Sequence, residues 1–276
     1  MALFFLTPFL FVFAISFSEA IIASPPIAPL TRHDPAGGTF EIRLRLFNYQ
    51  LLWEDNLYLR AYLNAIWVAL KSTLATLLIG YPIALAIARS TKRMQGVLIL
   101  AIMLPFWTSL LVRVYAWIGI LRQDGVLNMV LLWTGLIDQP LVLLQTEMAT
   151  YIGIVYTYLP FMVLPIYAVL EAQDHDTRDA ARDLGATPLV TFLTITLPLS
   201  LGGVVAGCLL VFIPSVGQFV IPSLLSGDSS LMIGRVLWNE FFSNRDWPVA
   251  SAVAIIMLAV LVIPIMAFQR ALNREI

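Results

Sequence analysis

Cysteine is almost missing: Cys208 is the only one in 276 residues, so no intrachain disulfide and no thiolate metal site can form. It lies in an apolar run and reads as a small core hydrophobe. Histidine is nearly as scarce. His33 and His175 fall in separate connections, which leaves no metal cluster of zinc spacing and no plausible catalytic triad. The sequence contains no G-x-x-x-x-G-K-[ST] run, so this chain does not hold a nucleotide in that way. Charge is thin as well: 12% of residues are charged and the net charge is −1, against about 25% charged in soluble domains. Without a basic excess to neutralise phosphates, the composition argues against a nucleic-acid partner.

Apolar residues fill the space left by these absences. They make up 60% of the chain, against about 45–50% in soluble proteins, more than one soluble domain covers without exposing large patches. Lipid takes up the excess. A span needs about 20 mostly apolar residues, and six stretches qualify: 2–23, 61–88, 97–121, 147–170, 196–222 and 249–268. All six read as helices. The first reads as an uncleaved span, since it lacks a positive n-region, its apolar run is long and "SEAIIAS" is a weak cleavage site. Pro105 in "LPFWTS" and Pro214 in "FIPSVG" interrupt their stretches. Broken helices at membrane depth need protein or water to satisfy the freed backbone groups, so they hint at a pathway or a packing kink.

The ionisable groups inside the stretches, Glu19, Lys71, Arg113 and Glu147, lie nearer an end than a centre. An ion-coupled secondary carrier usually keeps carboxylates deep in the bilayer, and none is evident. Basic residues split evenly: 89, 92, 93, 178, 182, 270 and 274 on the side of both termini, and 32, 43, 45, 60, 122, 235 and 245 opposite. Four of the opposing seven sit in the long first connection, where the positive-inside rule is weaker, so density favours the first set as cytoplasmic. The third connection carries turn signals around a predicted interfacial helix.

One polar island stands out between the fourth and fifth stretches. Asp174 to Ala180 hold three acids, a histidine and an arginine. Asp176 or Thr177 can cap a helix whose first turn contains Asp179. Ala180, Ala181 and Leu184 share a small apolar face, Gly185 suits a left-handed stop, and Thr187-Pro188 is a cap followed by proline at the first helical position. The pattern is helix, tight bend, helix, span. Such a short helix either enters another protein's groove or rests on the membrane surface.

The pattern D-A-A-x-x-x-G-(nine residues)-I-x-L-P, formed by Asp179, Ala180, Ala181, Gly185, Ile195, Leu197 and Pro198, resembles the "EAA" cytoplasmic loop of ABC importer permeases. Asp179 replaces the usual glutamate, a shorter carboxylate that keeps charge and capping. The stretches "LPFWTSLLVRVYAWIGIL", "YIGIVYTYLPFMVLPIY", "LVFIPSVGQFVIPSLL" and "MIGRVLWNEFFSNRDWPVASAVAIIM" are similar to the polyamine branch of that family, nearest the putrescine importer's permease. The likeness covers roughly residues 50 to 270.

The resemblance implies an all-α membrane protein with six transmembrane helices in the type I ABC importer permease fold. Residues 1–60 would be an N-terminal transmembrane helix with a periplasmic connection, 61–270 the permease core with a coupling loop at 171–195, and 271–276 a cytoplasmic tail. It implies a transport subunit rather than an enzyme, moving polyamines, putrescine first and spermidine next, across a bacterial inner membrane, with both termini in the cytoplasm. Another small organic solute is the alternative cargo. The implied partners are a second permease, an ATPase dimer and a periplasmic substrate-binding protein, besides lipid. No cofactor is expected in this chain; ATP and Mg would bind the ATPase. The seven motif residues would couple to that ATPase. A flexible cation calls for aromatic faces and carboxylates, so Trp107, Tyr115, Trp117, Tyr156 and Tyr158 are expected along the path. Glu147, Glu240 and Asp246 are expected at its outer vestibule.

Overall fold

The computed structural model describes residues 2–33, 40–42, 44–173, 177, 180, 181, 183–227 and 230–272. Its helices are α1 (Ala2–Ile15), α2 (Phe47–Glu54), α3 (Asn56–Ala88), α4 (Lys92–Met103), α5 (Leu110–Leu121), α6 (Val126–Trp133) and α7 (Glu147–Glu171). After the polar island come α8 (Pro188–Val216), α9 (Val220–Leu225), α10 (Ile233–Trp238) and α11 (Trp247–Leu272). Among the described residues the one sheet is a two-stranded antiparallel ribbon, β1 (Thr31–His33) with β2 (Phe40–Ile42).

Four helices are long and apolar enough to cross a membrane: α3, α7, α8 and α11 over Trp247–Met266. A bent helix pair, Lys92–Trp107 with Leu110–Trp133, makes a fifth when it is counted as one crossing. The stretch expected at 97–121 divides into α4 with a 3-10 turn at Leu104–Trp107, then α5 after Thr108 and Ser109, and the two arms meet at 94°. Pro105 stands in that turn, where its ring fixes φ and its missing N–H removes a helical bond. The expected helix between Asp-Gly and Thr-Gly is α6. The first stretch departs most from expectation. Its helix stops at Ile15 after 14 residues, about 21 Å at 1.5 Å per residue, short of a ~30 Å hydrocarbon core. Beyond it the carbonyls of Ser16 and Ser18 accept from buried Asn48 at 2.8 and 2.9 Å, in place of amides four residues on.

The chain forms two compact units interleaved in sequence. The first comprises Met1–Ile66, Gly217–Phe219 and Leu231–Met266. Here α3 and α11 meet through small side chains: Ala61, Ala65 and Ala252 are fully buried, and the Tyr62 hydroxyl donates to the Val253 carbonyl at 2.6 Å. The carboxamide of Asn64 donates to the Leu231 carbonyl at 2.8 Å.

The second unit comprises Trp67–Val216, Val220–Ser230 and Ala267–Ile276, and α7 is its spine. Buried positions Thr150, Gly153, Ile154, Thr157, Tyr158, Met162, Val163, Ile166 and Leu170 follow the three-and-four spacing of one helical face. Glycines let neighbours close on that face. A Cβ on Gly80 of α3 would lie 2.9 Å from the Met162 side chain, and one on Gly207 of α8 would lie 2.9 Å from its sulfur. A Cβ on Gly203 would lie 2.8 Å from the Pro165 carbonyl. Gly203 and Gly207 form a G-x-x-x-G pair, the spacing that brings helix backbones together in lipid, where tails offer no hydrophobic gain between helices.

Candidate functional site

The polar island and its continuation into α8 form the candidate site. Asp179 lies outside the described residues. Ala180 is exposed and Ala181 half-buried. The Leu184 amide donates to the Ala180 carbonyl at 3.2 Å, and the Ala186 amide donates to the Ala181 carbonyl at 3.0 Å. Gly185 between them has φ +85°. A bond from six residues to one around a left-handed glycine is the Schellman stop, the bend expected from the sequence. Thr187 then caps α8, its hydroxyl accepting from the Val190 amide at 3.4 Å, with Pro188 in the first turn. Leu184 is 89% exposed and Leu189 67%, so each arm of the bend carries an apolar side chain that the chain's own fold leaves uncovered.

The remaining motif residues sit on a helical irregularity. Residues Phe192–Thr196 form a π-turn, closed by the Leu197 amide donating to the Phe192 carbonyl five residues back. Pro198 follows, and its missing N–H removes the regular bond to the Thr194 carbonyl. So Ile195, Leu197 and Pro198 mark where α8 changes pitch, a feature common at functional sites. The segment is held to α3: the Tyr81 hydroxyl is 2.9 Å from the Ser200 hydroxyl, and its ring meets Phe192 edge-on at 5.8 Å.

The root of the loop is tied too. Glu171, the last residue of α7, is paired with Lys92 and accepts from the Gln95 carboxamide at 2.9 Å. Gln95 is 5% exposed and also donates to the Ala88 carbonyl at 3.2 Å, while the Tyr167 hydroxyl donates to its oxygen at 3.5 Å. Two residues further on, the Gln173 carboxamide donates to the Thr196 carbonyl at 3.2 Å. Sequence reading counted Lys92 only as a basic residue and passed over Gln95, Glu171 and Gln173.

The expected path residues divide between the two units. In the second, Trp107 ends the 3-10 turn at 78% exposure and Tyr115 on α5 is 61% exposed. Trp117 meets Tyr156 of α7 edge-to-face at 5.4 Å. Tyr158 is buried near Phe161, which meets Phe106 at 5.1 Å. Glu147 is exposed in the first turn of α7. The Arg113 guanidinium stacks 5.0 Å over Phe106, a cation–π contact.

In the first unit, Glu240 lies on a π-turn, Asn239–Ser243. It accepts from the Tyr58 hydroxyl at 3.0 Å and from Asn244 at 2.9 Å. The same segment carries ring pairs: Phe219 stacks on Trp238 at 4.4 Å, Trp238 lies tilted against Phe242 at 4.1 Å, and Phe241 stacks on Trp247 at 4.8 Å. Asp246 has a structural task. Its carboxylate accepts from the Val249 amide at 3.0 Å, capping α11. Asp246→Ala should therefore cost about 1 kcal/mol, whereas Asp246→Asn should retain both melting temperature and uptake; a strong uptake loss in the stable asparagine variant would restore Asp246 to the path.

Among the described residues no group of three or more acidic, histidine or cysteine side chains could hold a metal ion. The geometry thus offers a bend with exposed apolar tips, anchored at root and exit, with aromatic pairs in the second unit and a hydrogen-bonded carboxylate, Glu240, in the first.

The family model for the binding-protein-dependent transport system inner membrane component matches residues 2–276. The spermidine/putrescine transport system permease protein PotB of Escherichia coli (strain K12) is 39% identical over 250 residues, 90% of each chain. The PotB protein of Haemophilus influenzae (strain ATCC 51907 / DSM 11121 / KW20 / Rd) is 39% identical over 228 residues, 80% of each chain. A crystal structure of a bacterial alginate ABC transporter, in complex with an alginate pentasaccharide-bound periplasmic protein, aligns with TM-score 0.68 at 16% identity, covering 84% of each chain. At that identity the structural likeness speaks for the fold alone.

Proposed function

Because the chain belongs to the family of binding-protein-dependent transport system inner membrane components, a multi-pass membrane subunit and not an enzyme, we propose that it passes polyamines through an ATP-driven importer. The carrying observation is the 39% identity, over 90% of both chains, to a permease named for spermidine and putrescine. Both diamine and triamine fit a path of aromatic faces and carboxylates. Putrescine is the proposed first cargo and spermidine the second.

The work divides between chains. A second permease completes the pore, two ATPase subunits bind ATP and Mg, and a periplasmic protein delivers the cargo. The same reading puts residues 171–195 and the C-terminus in the cytoplasm, and the N-terminus with them where α1 and the residues after it together complete the crossing that α1 alone is too short to make. An ATPase cleft takes the bend at Gly185, covering Leu184 and Leu189 and approaching closely over Ala180 and Ala181. Asp179 supplies the polar contact of the motif. When ATP draws the ATPase pair together, the bend moves as a lever, and the anchored α7 and α8 carry that motion into the membrane.

The path begins at the carboxylates. Glu147 and Glu240 lower the energy of an arriving cation, and Trp107, Tyr115, Trp117, Tyr156 and Tyr158 offer π faces along the way. Trp107 is the most exposed of these aromatics, at 78%. Trp107→Ala should lower uptake about threefold at unchanged protein level, the loss of roughly one exposed cation–π contact. The test is uptake of labelled putrescine and spermidine by cells whose only polyamine importer contains this chain. Saturable entry of both, each competing with the other, supports the reading. Entry of a neutral solute in their place overturns it.

A further inference from the structure

We infer that Glu171 is a positioning residue that locks the root of the loop to the start of α4, so that movement of the bend reaches the broken span as well as α7 and α8. This inference rests on the coupling role proposed above for the same loop. Three pieces of chain converge on two side chains. The Ala88 carbonyl at the end of α3, Lys92 and Gln95 in the first turn of α4, and Tyr167 and Glu171 in the last turn of α7 meet through the contacts already described.

The chemistry explains why the lock is stiff. Gln95 is buried, and its carboxamide is used at both ends: the nitrogen donates to the Glu171 carboxylate and the Ala88 carbonyl, and the oxygen accepts from Tyr167. A buried amide with these partners keeps one orientation, because rotating it would leave donors and acceptors unmet in an apolar setting. Glu171 is the member that both Lys92 and Gln95 require. One carboxylate oxygen pairs with Lys92 and the other accepts from Gln95. The exposed ion pair alone adds little in water; its value here is directional, since it adds a second point of hold on α4.

The position matters because α4 leads directly to the Pro105 break and the 94° bend, on whose edge Trp107 stands. Without the lock, the loop still has Gln173 on the Thr196 carbonyl and Tyr81 on Ser200 to connect it to α8. Its polar tie to α4 is then reduced to the 3.5 Å bond from the Tyr167 hydroxyl to Gln95. ATP closure would rock α7 and α8 while the broken span lagged, and hydrolysis would continue with less cargo moved.

The experiment uses the complete importer reconstituted in vesicles, with ATP hydrolysis and labelled putrescine uptake measured in the same preparation. Glu171→Ala should leave assembly and hydrolysis near wild type and raise ATP spent per putrescine about tenfold, within the usual range of coupling between sites. Glu171→Gln keeps an acceptor for Gln95 and should fall between. The double exchange Lys92→Glu with Glu171→Lys restores the ion pair in reverse but sets a second donor against the Gln95 nitrogen, so it should recover less than half of the lost ratio. A role in stability alone would change yield and melting temperature with the ratio unmoved. If Glu171→Ala fails to assemble, the glutamine and exchanged variants decide. Wild-type ratios in both Glu171→Gln and Lys92→Glu overturn the lock. Absence of ATP-driven uptake by the wild-type importer would instead overturn the proposed function.

Discussion

Gly207→Leu should leave almost no folded permease to purify. Even a Cβ at this position would lie 2.9 Å from the Met162 sulfur and 3.1 Å from the Met162 carbonyl. Leucine adds three more carbons against backbone, in the middle of the contact between α7 and α8. Overpacking of cores commonly costs about 1–3 kcal/mol, and a rigid helix backbone is a poor place to relieve it. The loss should therefore exceed that range. Gly203→Leu, 2.8 Å from the Pro165 carbonyl, should behave alike. Gly202 has nothing within 4 Å of its would-be Cβ, and Gly202→Leu should fold. Yield of monodisperse protein after detergent extraction checks all three, and equal yields would show that α7 and α8 do not meet through this face.

Gly185→Val should have the second largest effect, and of another kind. A Cβ there would meet nothing within 4 Å, but φ is +85°, a conformation that a β-branched residue adopts only at a cost of about 1–3 kcal/mol. The chain should fold and reach the membrane, because the strain is local and exposed. The stop made by the Ala186 amide on the Ala181 carbonyl would be lost, and with it the angle between the loop helix and α8. Uptake should fall at least about tenfold while ATP hydrolysis by the assembled complex continues. Gly185→Asn should regain most of the uptake, since asparagine visits the left-handed region. Normal uptake by the valine variant would remove Gly185 from the coupling role.

These two glycines also show what the sequence could carry. The bend at Gly185 was readable because every signal lay within thirteen residues, 176–188: a capped start, a glycine, then Thr187-Pro188. Gly207 was visible as a glycine in an apolar run, but its partner Met162 lies 45 residues earlier in the sequence, and only packing reveals the contact. The long spans were legible from hydropathy, as was the Pro105 break from the missing amide. The early end of α1 was not, because Asn48 holds Ser16 and Ser18 across 32 and 30 residues. The lock at Glu171 was hidden for the same reason, since Gln95 is 76 residues away.

Asp246 is a different lesson. The run "RDWP" contains an N-cap aspartate with proline in the first turn, a local pattern legible beside the negative charge that suggests the vestibule. Its carboxylate caps α11. Glu240 sits in a chemically richer place, with a tyrosine hydroxyl and an amide bonded to it and stacked rings on the same segment. A carboxylate on a segment of π faces suits an ammonium group, which is why it stays in the proposed path.

The central claim is that this chain moves cargo only when separate ATPase chains drive it through the loop. Vesicles carrying the purified permease pair, ATPase and binding protein test it directly, with labelled putrescine outside and ATP sealed within. The account predicts uptake that requires ATP and the ATPase and persists when an uncoupler abolishes ion gradients. Uptake by the permease chains alone, lost on adding the uncoupler, would contradict it and identify an ion-coupled carrier.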